Sequence, residues 1–210
     1  MITFYDSNMA PSPRRVRILL AEKNVPHETV EVDLMKNEQM GEAYRAINPN
    51  CTLPALKLDE GTVLTDNAGI AIYLEETYPE PPLMGKTPLE KAEIATWNAI
   101  TEFEFTMGVA HALRNNNPFM QGRALPGPYD YDQIPALADR GLQQVDNYFA
   151  KLERRLVGRD YIAADQFSIA DVTAAVTLDF ARVVKKKPAD DHPNIKRWRA
   201  ALNERPSFAH

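Results

Sequence analysis

The stretch that decides the fold is residues 48–79, NPNCTLPALKLDEGTVLTDNAGIAIYLEETYP. Two short apolar runs, 55–58 and 62–64, flank the turn Asp59-Glu60-Gly61, and this pattern predicts a β-hairpin. Helical spacing of apolar residues resumes over 67–78. The stretch therefore predicts two antiparallel strands followed by a helix.

The sequence before this hairpin predicts a strand, a helix and a second strand. Residues 2–5 are β-prone, apolar residues between 16 and 21 follow helical spacing, and 29–33 alternate between apolar and polar. A further helix is predicted over 39–47. The order βαβ followed by αββα is that of a thioredoxin-like domain with a four-stranded mixed sheet.

The second part of the chain is predicted to be an all-helical bundle. From Pro88 onward the sequence has only helical patterns, apart from a loop over 115–132 that is rich in Asn, Pro and Gly. The predicted helices span 88–115, 134–157, 168–185 and 194–203.

Proline and charge mark the boundary between the two parts. The segment 79–85 has too many prolines to continue a helix. Residues 1–85 carry 7 Lys and Arg against 13 Asp and Glu, whereas residues 86–210 carry 17 against 16. We predict an acidic α/β domain over 1–79, a linker over 80–87 and an all-α domain over 88–210.

Composition excludes several classes of protein. The 210 residues are 44% hydrophobic and 25% charged, which is typical of globular domains, and the net charge of −5 disfavours nucleic acid and anionic membranes as partners. The single cysteine, Cys51, rules out an intramolecular disulfide and a Cys-based zinc site. We find no signal-peptide pattern and no apolar stretch long enough to span a membrane. We therefore expect a cytoplasmic protein with no bound metal.

The first candidate site lies at the start of the first helix. Ser12 is predicted to be its N-cap, with Pro13 at the first helical position. Free N–H groups and the helix dipole favour an anion such as a thiolate there. The alternative is that Ser12 only caps the helix.

Two further candidate sites flank the hairpin. A cis peptide between Leu53 and Pro54 would expose the Leu53 N–H and C=O to pair with a peptide-like ligand, whereas an ordinary turn is the alternative. Asp66 or Asn67 is predicted to cap the next helix, whose first turn could bind the ammonium and carboxylate of an amino acid. Plain capping is again the alternative.

These segments together resemble the cytosolic glutathione S-transferases. The resemblance rests on PSPRRVRILLAEKNVPHE at 11–28, on the stretch 48–79, on the S-x-x-D capping box at 168–171 within YIAADQFSIADV, and on the ending HPNIKRW with RPSF. It spans essentially the whole chain, and the four motifs occur in the right order and spacing. It implies a thioredoxin-like domain followed by a helical domain.

The resemblance also implies site residues. Pro54 matches the family's cis-proline and Leu53 the residue whose backbone binds the cysteinyl part of glutathione. Asp66-Asn67 matches the acidic-plus-hydroxyl pair that binds the γ-glutamyl end. Thr52 belongs to the same binding segment, although Cys51-Thr52 replaces the usual Gly-Lys or Gly-Gln and weakens the contact with the glycyl carboxylate.

The catalytic position departs from the commoner classes. Ser12 falls where beta-class enzymes have a cysteine and nu-class enzymes an asparagine, whereas the zeta and tau serine position is Ala10. Ser12 is the candidate donor of a hydrogen bond to the thiolate. Ser7 and Tyr5 are alternatives. Cys51 is either a reactive thiol beside the site or, more simply, incidental.

The resemblance implies a homodimeric glutathione transferase that delivers the glutathione thiolate to a small hydrophobic electrophile. Two alternatives stay open: a glutathione-dependent disulfide reductase, which the nu-like spacing favours, and a non-catalytic binding or scaffold protein. A site for the electrophile between the domains is predicted, although Phe and Met on helices are more often core, and a histidine is more often satisfied by hydrogen bonds. The candidate lining residues are Phe103, Phe105, Met107, His111 and Phe119.

Overall fold

Four strands form one mixed sheet in the computed structural model, which describes residues 1–209. They are β1 (Ile2–Asp6), β2 (His27–Glu31), β3 (Ala55–Lys57) and β4 (Val63–Leu64). β1 pairs in parallel with β2 and antiparallel with β3, which pairs antiparallel with β4. The resulting spatial order is β2-β1-β3-β4, and it confirms the predicted four-stranded mixed sheet.

Three helices accompany this sheet: α1 (Pro11–Glu22), the short α2 (Glu42–Arg45) and α3 (Asn67–Thr77). Buried apolar side chains of β1, α1 and α3 form the core of this part of the chain. Phe4, Ile18 and Ile70 are each 0% exposed. The predicted thioredoxin-like domain is therefore present.

Two predicted elements of this part differ from the structure. The helix predicted over 39–47 is α-helical only at α2, because Asn37, with φ of +57°, and Gly41 separate it from two preceding 3₁₀ turns at Leu34–Lys36 and Glu38–Met40. The second strand, predicted over 29–33 from its alternating pattern, lies two residues earlier in the structure. β2 begins at His27 and is an edge strand whose side chains are mostly exposed, so burial does not impose the alternation.

The rest of the chain is helical, as predicted. Residues 1–81 with 126–129 form one compact unit and residues 82–125 with 130–209 a second, which we call the helical unit. The boundaries predicted at 79/80 and 87/88 stay predictions, and residue 210 lies outside the described residues. The helices of the second unit are α4 (Pro88–Ile100), α5 (Met107–Arg114), α6 (Pro135–Arg155), α7 (Ile169–Phe180) and α8 (Pro193–Asn203).

A six-residue π-helical segment, Thr101–Thr106, joins α4 to α5, so the single helix predicted over 88–115 changes its hydrogen bonding midway. Beyond it, α5 and α6 cross very closely at two glycines. A Cβ placed on Gly141 would lie 2.5 Å from the carbonyl oxygen of Gly108. Only glycine permits this approach of the two backbones.

The helical unit contains one fully buried carboxylate, Asp171, at the start of α7. It accepts hydrogen bonds from the N–H and the hydroxyl of Ser168, both at 3.1 Å, and the Ser168 side chain accepts from the Asp171 N–H, which completes the predicted capping box. It also accepts from the Ile162 N–H at 3.0 Å and from the Trp198 indole at 2.9 Å. Burial raises the pKa of Asp171 to about 6 against the opposing effect of these hydrogen bonds.

Two classes of feature are absent from residues 1–209. In that range no helix is both long and apolar enough to cross a membrane. Nor does any group of three or more His, Cys, Asp or Glu side chains there have the arrangement of a metal site.

Candidate functional site

The sheet topology brings the three predicted segments to one edge. Because β1 and β3 are antiparallel and Tyr5 pairs with Ala55, the end of β1 and the start of β3 lie side by side. β4 runs antiparallel to β3, so its end meets the same edge. We call this the loop edge: residues 7–12, 51–54 and 65–67, which leave β1, enter β3 and leave β4.

Ser12 is not the N-cap of α1, which corrects the prediction. The helix begins one residue earlier than expected, at Pro11, and the N-cap is Ala10, which has no capping side chain. Pro11 takes the first helical position because its fixed φ suits it and its missing N–H costs nothing there. Ser12 therefore lies within the first turn of the helix.

The consequence is an unusual first turn. Pro11 and Pro13 have no N–H, so Ser12 supplies the one backbone donor of residues 11–13. Its side chain is half-buried, and its hydroxyl has no hydrogen-bond partner within residues 1–209. A ligand atom at this end of α1 thus meets the N–H and the hydroxyl of one residue.

A buried ion pair fixes the turn between β1 and α1. The Arg17 guanidinium binds both carboxylate oxygens of Asp6 at 2.8 Å, and Asp6 also accepts from the Ser7 N–H at 2.7 Å. Asp6 is 3% exposed. This two-point contact ties the helix to the strand that precedes it, which holds Ser12 at the loop edge.

The pair Asp66-Asn67 begins α3. Of the two residues predicted to cap this helix, Asp66 is the N-cap, and one of its carboxylate oxygens accepts from the Ala68 N–H at 2.8 Å. Asp66 is otherwise exposed. Within residues 1–209 the N–H groups of Asn67 and Gly69 have no partner, so the first turn of α3 has a free carboxylate oxygen beside two free donors.

The Asn67 side chain contacts α1. Oriented so that each end of the carboxamide meets a suitable partner, its nitrogen donates to the Ser12 carbonyl at 2.9 Å and its oxygen accepts from the Arg15 guanidinium at 3.0 Å. Sequence reasoning missed Arg15 entirely. The structure therefore links two predicted site residues, Ser12 and Asn67, through one amide.

The Leu53–Pro54 peptide is cis, as the resemblance implied. The side chain of Leu53 packs against the core cluster of Val32, Tyr44 and Ala55. Its N–H has no hydrogen-bond partner within residues 1–209. Leu53 is thus anchored by its side chain and has a free backbone donor at the loop edge.

The carbonyl and the hydroxyl of Thr52 both accept hydrogen bonds from neighbouring side chains. Its carbonyl accepts from the Tyr44 hydroxyl at 2.7 Å and from the Asn48 carboxamide at 2.8 Å, and the same Asn48 nitrogen lies 3.1 Å from the Thr52 hydroxyl. Burial raises the pKa of Tyr44 well above its usual value, so its hydroxyl keeps the proton that it donates. Tyr44 and Asn48 were not among the predicted site residues, because their contacts with Thr52 depend on the tertiary structure.

Cys51 is not positioned as an accessible thiol. It is 3% exposed, its φ is +54°, and its sulfur lies 3.6 Å from the Pro49 carbonyl. This favours the simpler of the two predicted roles, in which the cysteine is incidental.

The predicted electrophile-site residues separate into three kinds within the helical unit. Phe105 is fully buried and stacks on Tyr148 with ring centroids 4.5 Å apart, so it is a core residue. Phe103, Met107 and Phe119 are 73%, 37% and 97% exposed. His111 has a buried Nδ1 without a hydrogen-bond partner in the described chain, which corrects the prediction of a satisfied histidine for that atom.

Known protein families match this chain over most of its length. The glutathione S-transferase N-terminal domain model matches residues 10–77, and the C-terminal domain model matches residues 96–206. Glutathione S-transferase 2 of Saccharomyces cerevisiae is 33% identical over 211 residues, covering 97% of this chain and 86% of the yeast protein.

Two solved structures share the fold over nearly their full length. A glutathione S-transferase domain-containing protein of Marinobacter aquaeolei has a TM-score of 0.88 at 31% identity, covering 98% of this chain and 99% of that one. A glutathione S-transferase of Methylobacillus flagellatus with bound glutathione has a TM-score of 0.81 at 24% identity, covering 100% and 98%. The chain therefore belongs to the cytosolic glutathione S-transferase family, whose substrate is glutathione.

Proposed function

We propose that this protein is a glutathione transferase that binds glutathione at the loop edge and delivers its thiolate to a small hydrophobic electrophile. The observation that supports this most is the pair of unpartnered donors there, the Leu53 N–H and the Ser12 hydroxyl, each on a residue fixed by its neighbours. Donors held in place before the ligand arrives cost little to order on binding.

The cysteinyl part of glutathione pairs with the backbone of Leu53 in this proposal. An extended peptide can match the N–H and C=O of Leu53 in the manner of an added β-strand. Thr52 and Pro54 shape the segment on either side of that residue. The role of Pro54 is to turn the chain into β3 immediately after the binding residue.

The γ-glutamyl end binds at α3. The free carboxylate oxygen of Asp66 suits the ammonium group, and the free N–H groups of the first turn suit the carboxylate, which the helix dipole also favours. Asn67 acts there through its backbone N–H, because its side chain is already bound to Ser12 and Arg15.

Ser12 stabilises the thiolate. A thiolate at the start of α1 accepts from the Ser12 hydroxyl, and with proline on either side of Ser12 the first turn has few other donors. A hydrogen bond to a charged acceptor is worth about 2 kcal/mol, which lowers the pKa of the bound thiol by about 1.5. The catalytic contributions are then thiolate stabilisation and positioning of two substrates.

The test is the variant Ser12→Ala. We expect kcat/KM for an aryl halide to fall about 30-fold, and the pKa of bound glutathione, followed by thiolate absorbance, to rise by about 1.5. Thermal stability should change little, because the Ser12 side chain caps nothing. Matched variants are Ser7→Ala and Tyr5→Phe, which remove the two alternative hydroxyls. If Ser12→Ala leaves the rate unchanged and the rate falls in Ser7→Ala or Tyr5→Phe, the hydroxyl removed in that variant, and not that of Ser12, stabilises the thiolate.

Two measurements separate this function from its alternatives. Activity on a small glutathione mixed disulfide without activity on aryl halides would make the protein a disulfide reductase. No binding of glutathione by calorimetry would make it a non-catalytic member of the family and would remove both enzyme functions.

The proposal includes a homodimer, which the family resemblance implies, and a cytoplasmic location. Light scattering coupled to size exclusion tests the first, with a mass near twice 23.7 kDa expected. Cell fractionation tests the second.

A further inference from the structure

The carbonyl of Thr52 receives two hydrogen bonds from side chains of one neighbouring segment. Tyr44 belongs to α2, and Asn48 follows that helix three residues after its end. The Asn48 N–H donates to the Tyr44 carbonyl at 2.8 Å, so the two donors are held relative to each other. Both are buried, at 5% and 0% exposure.

The same peptide unit contains the free donor of the loop edge. The Thr52 carbonyl and the Leu53 N–H belong to one planar peptide group, which is trans, since the cis bonds of residues 1–209 are those before Pro54 and Pro81. In a trans peptide the C=O and the N–H point in opposite directions. Two donors on the carbonyl therefore aim the N–H away from them and prevent the plane from rotating.

Hydrogen bonds on a carbonyl also strengthen its amide as a donor. Polarisation along such chains adds about 10–30% per bond in condensed-phase estimates. Both effects act on the Leu53 N–H alone, because the Leu53 carbonyl belongs to the next peptide unit, with Pro54.

We infer that Tyr44 and Asn48 are positioning residues that orient and polarise the Leu53 N–H for the cysteinyl carbonyl of glutathione. This inference rests on the proposed function, in which Leu53 binds that part of the ligand. Neither side chain needs to touch glutathione.

The details of Asn48 and Tyr44 fit an orienting role. The Asn48 amide cannot turn over without loss, because its oxygen accepts from the Asn50 N–H at 3.0 Å while its nitrogen donates to Thr52. The Tyr44 ring packs edge-on against Tyr5 with centroids 5.8 Å apart, which holds the hydroxyl at a set position. Tyr44 can therefore lose its hydroxyl while its ring contacts stay.

The experiment uses Tyr44→Phe in the full-length protein, with Tyr73→Phe as the matched control. Tyr73 lies in α3, and its hydroxyl has no partner within residues 1–209. Calorimetry measures the Kd of glutathione and of two analogues: γ-glutamylcysteine, which keeps the cysteinyl carbonyl group, and γ-glutamylcysteamine, which lacks it. For Tyr44→Phe we expect the Kd of γ-glutamylcysteine and of glutathione to rise about fivefold, as for one lost hydrogen bond.

The analogue decides between positioning and a merely structural role. We expect the Kd of γ-glutamylcysteamine to be the same in Tyr44→Phe and in the parent, because it offers no acceptor to the Leu53 N–H. An equal loss for both ligands would overturn the inference. So would unchanged Kd values for glutathione and γ-glutamylcysteine.

Two further readouts separate this inference from the proposed function. The KM for glutathione should rise in Tyr44→Phe while kcat and the pKa of the bound thiol stay as they were, and the Leu53 amide proton resonance should move upfield in the free protein. A parent protein that binds no glutathione would instead defeat the proposed function itself. If the parent binds glutathione and Tyr44→Phe binds it with the same Kd, only the inference about Tyr44 and Asn48 fails.

Discussion

The Asp171 carboxylate in the helical unit and the Leu53 N–H at the loop edge are both polar groups beside packed apolar side chains. They differ in the number of hydrogen-bond partners that they have. The Asp171 carboxylate accepts from four donors and is fully buried. The Leu53 N–H has none within residues 1–209, although the peptide that contains it is held by two hydrogen bonds.

The difference indicates what each region is for. A buried polar group with every partner present stabilises one arrangement of the chain, because losing any partner leaves a desolvated atom. A donor that is oriented but unpaired adds nothing to the stability of the free protein and is available to a ligand. Changes at Asp171 should therefore affect folding, and changes at the loop edge should affect binding.

The largest effect is expected from Asp171→Ala. It leaves the Trp198 indole, the Ile162 N–H and both donors of Ser168 without their acceptor, so we expect the free energy of unfolding in urea to fall by about 4 kcal/mol. Asp139→Ala, at an exposed acid of α6, is the control and should change it by less than about 0.5 kcal/mol. A loss at Asp171 no greater than at Asp139 would contradict the comparison.

A pH titration of stability should give the next largest effect. Because the folded-state pKa of Asp171 is raised from 3.8 to about 6, the folded chain binds a proton that the unfolded chain has released between these values. Stability contributed by the protonated form is thus present at low pH and is lost as pH rises toward 6. The total is about 3 kcal/mol.

The measurement is the difference in unfolding free energy between the parent and Asp171→Asn from about pH 4 to about pH 7. The amide does not titrate, so the difference isolates Asp171. Relative to Asp171→Asn, the parent should become less stable as pH rises. A difference that stays level across the range would show that the hydrogen bonds offset burial completely.

The smallest effect is expected from Asn67→Ala at the loop edge. The change removes the amide that joins the Ser12 carbonyl to Arg15, so we expect the Kd for glutathione to rise about fivefold while the unfolding free energy changes by less than about 1 kcal/mol. Glu76→Ala, at an exposed position of α3, is the matched control. If Asn67→Ala lowers the free energy of unfolding without raising the Kd for glutathione, Asn67 has a structural role, as Asp171 has, and no role in binding the ligand.

Much of the fold could be predicted because its signals are local. The turn Asp59-Glu60-Gly61 predicted the hairpin, and the S-x-x-D pattern predicted the capping box. The error at Ser12 was also local: two prolines, Pro11 and Pro13, compete for the first helical position, and the pattern alone does not choose between them. The π-helical segment within 101–106 left no mark in the apolar spacing.

By itself, the sequence determined the order of strands and helices, the caps of α3 and α7 and the family, since each depends on motifs that are local in the chain. Only the tertiary structure decided which polar groups meet. Strand pairing across more than fifty residues brings Ser12 to Asn67, and the left-handed turn at Cys51 brings the Thr52 carbonyl to Tyr44 and Asn48. These contacts depend on distances in space that no periodicity encodes, and they are the ones on which the proposed site depends.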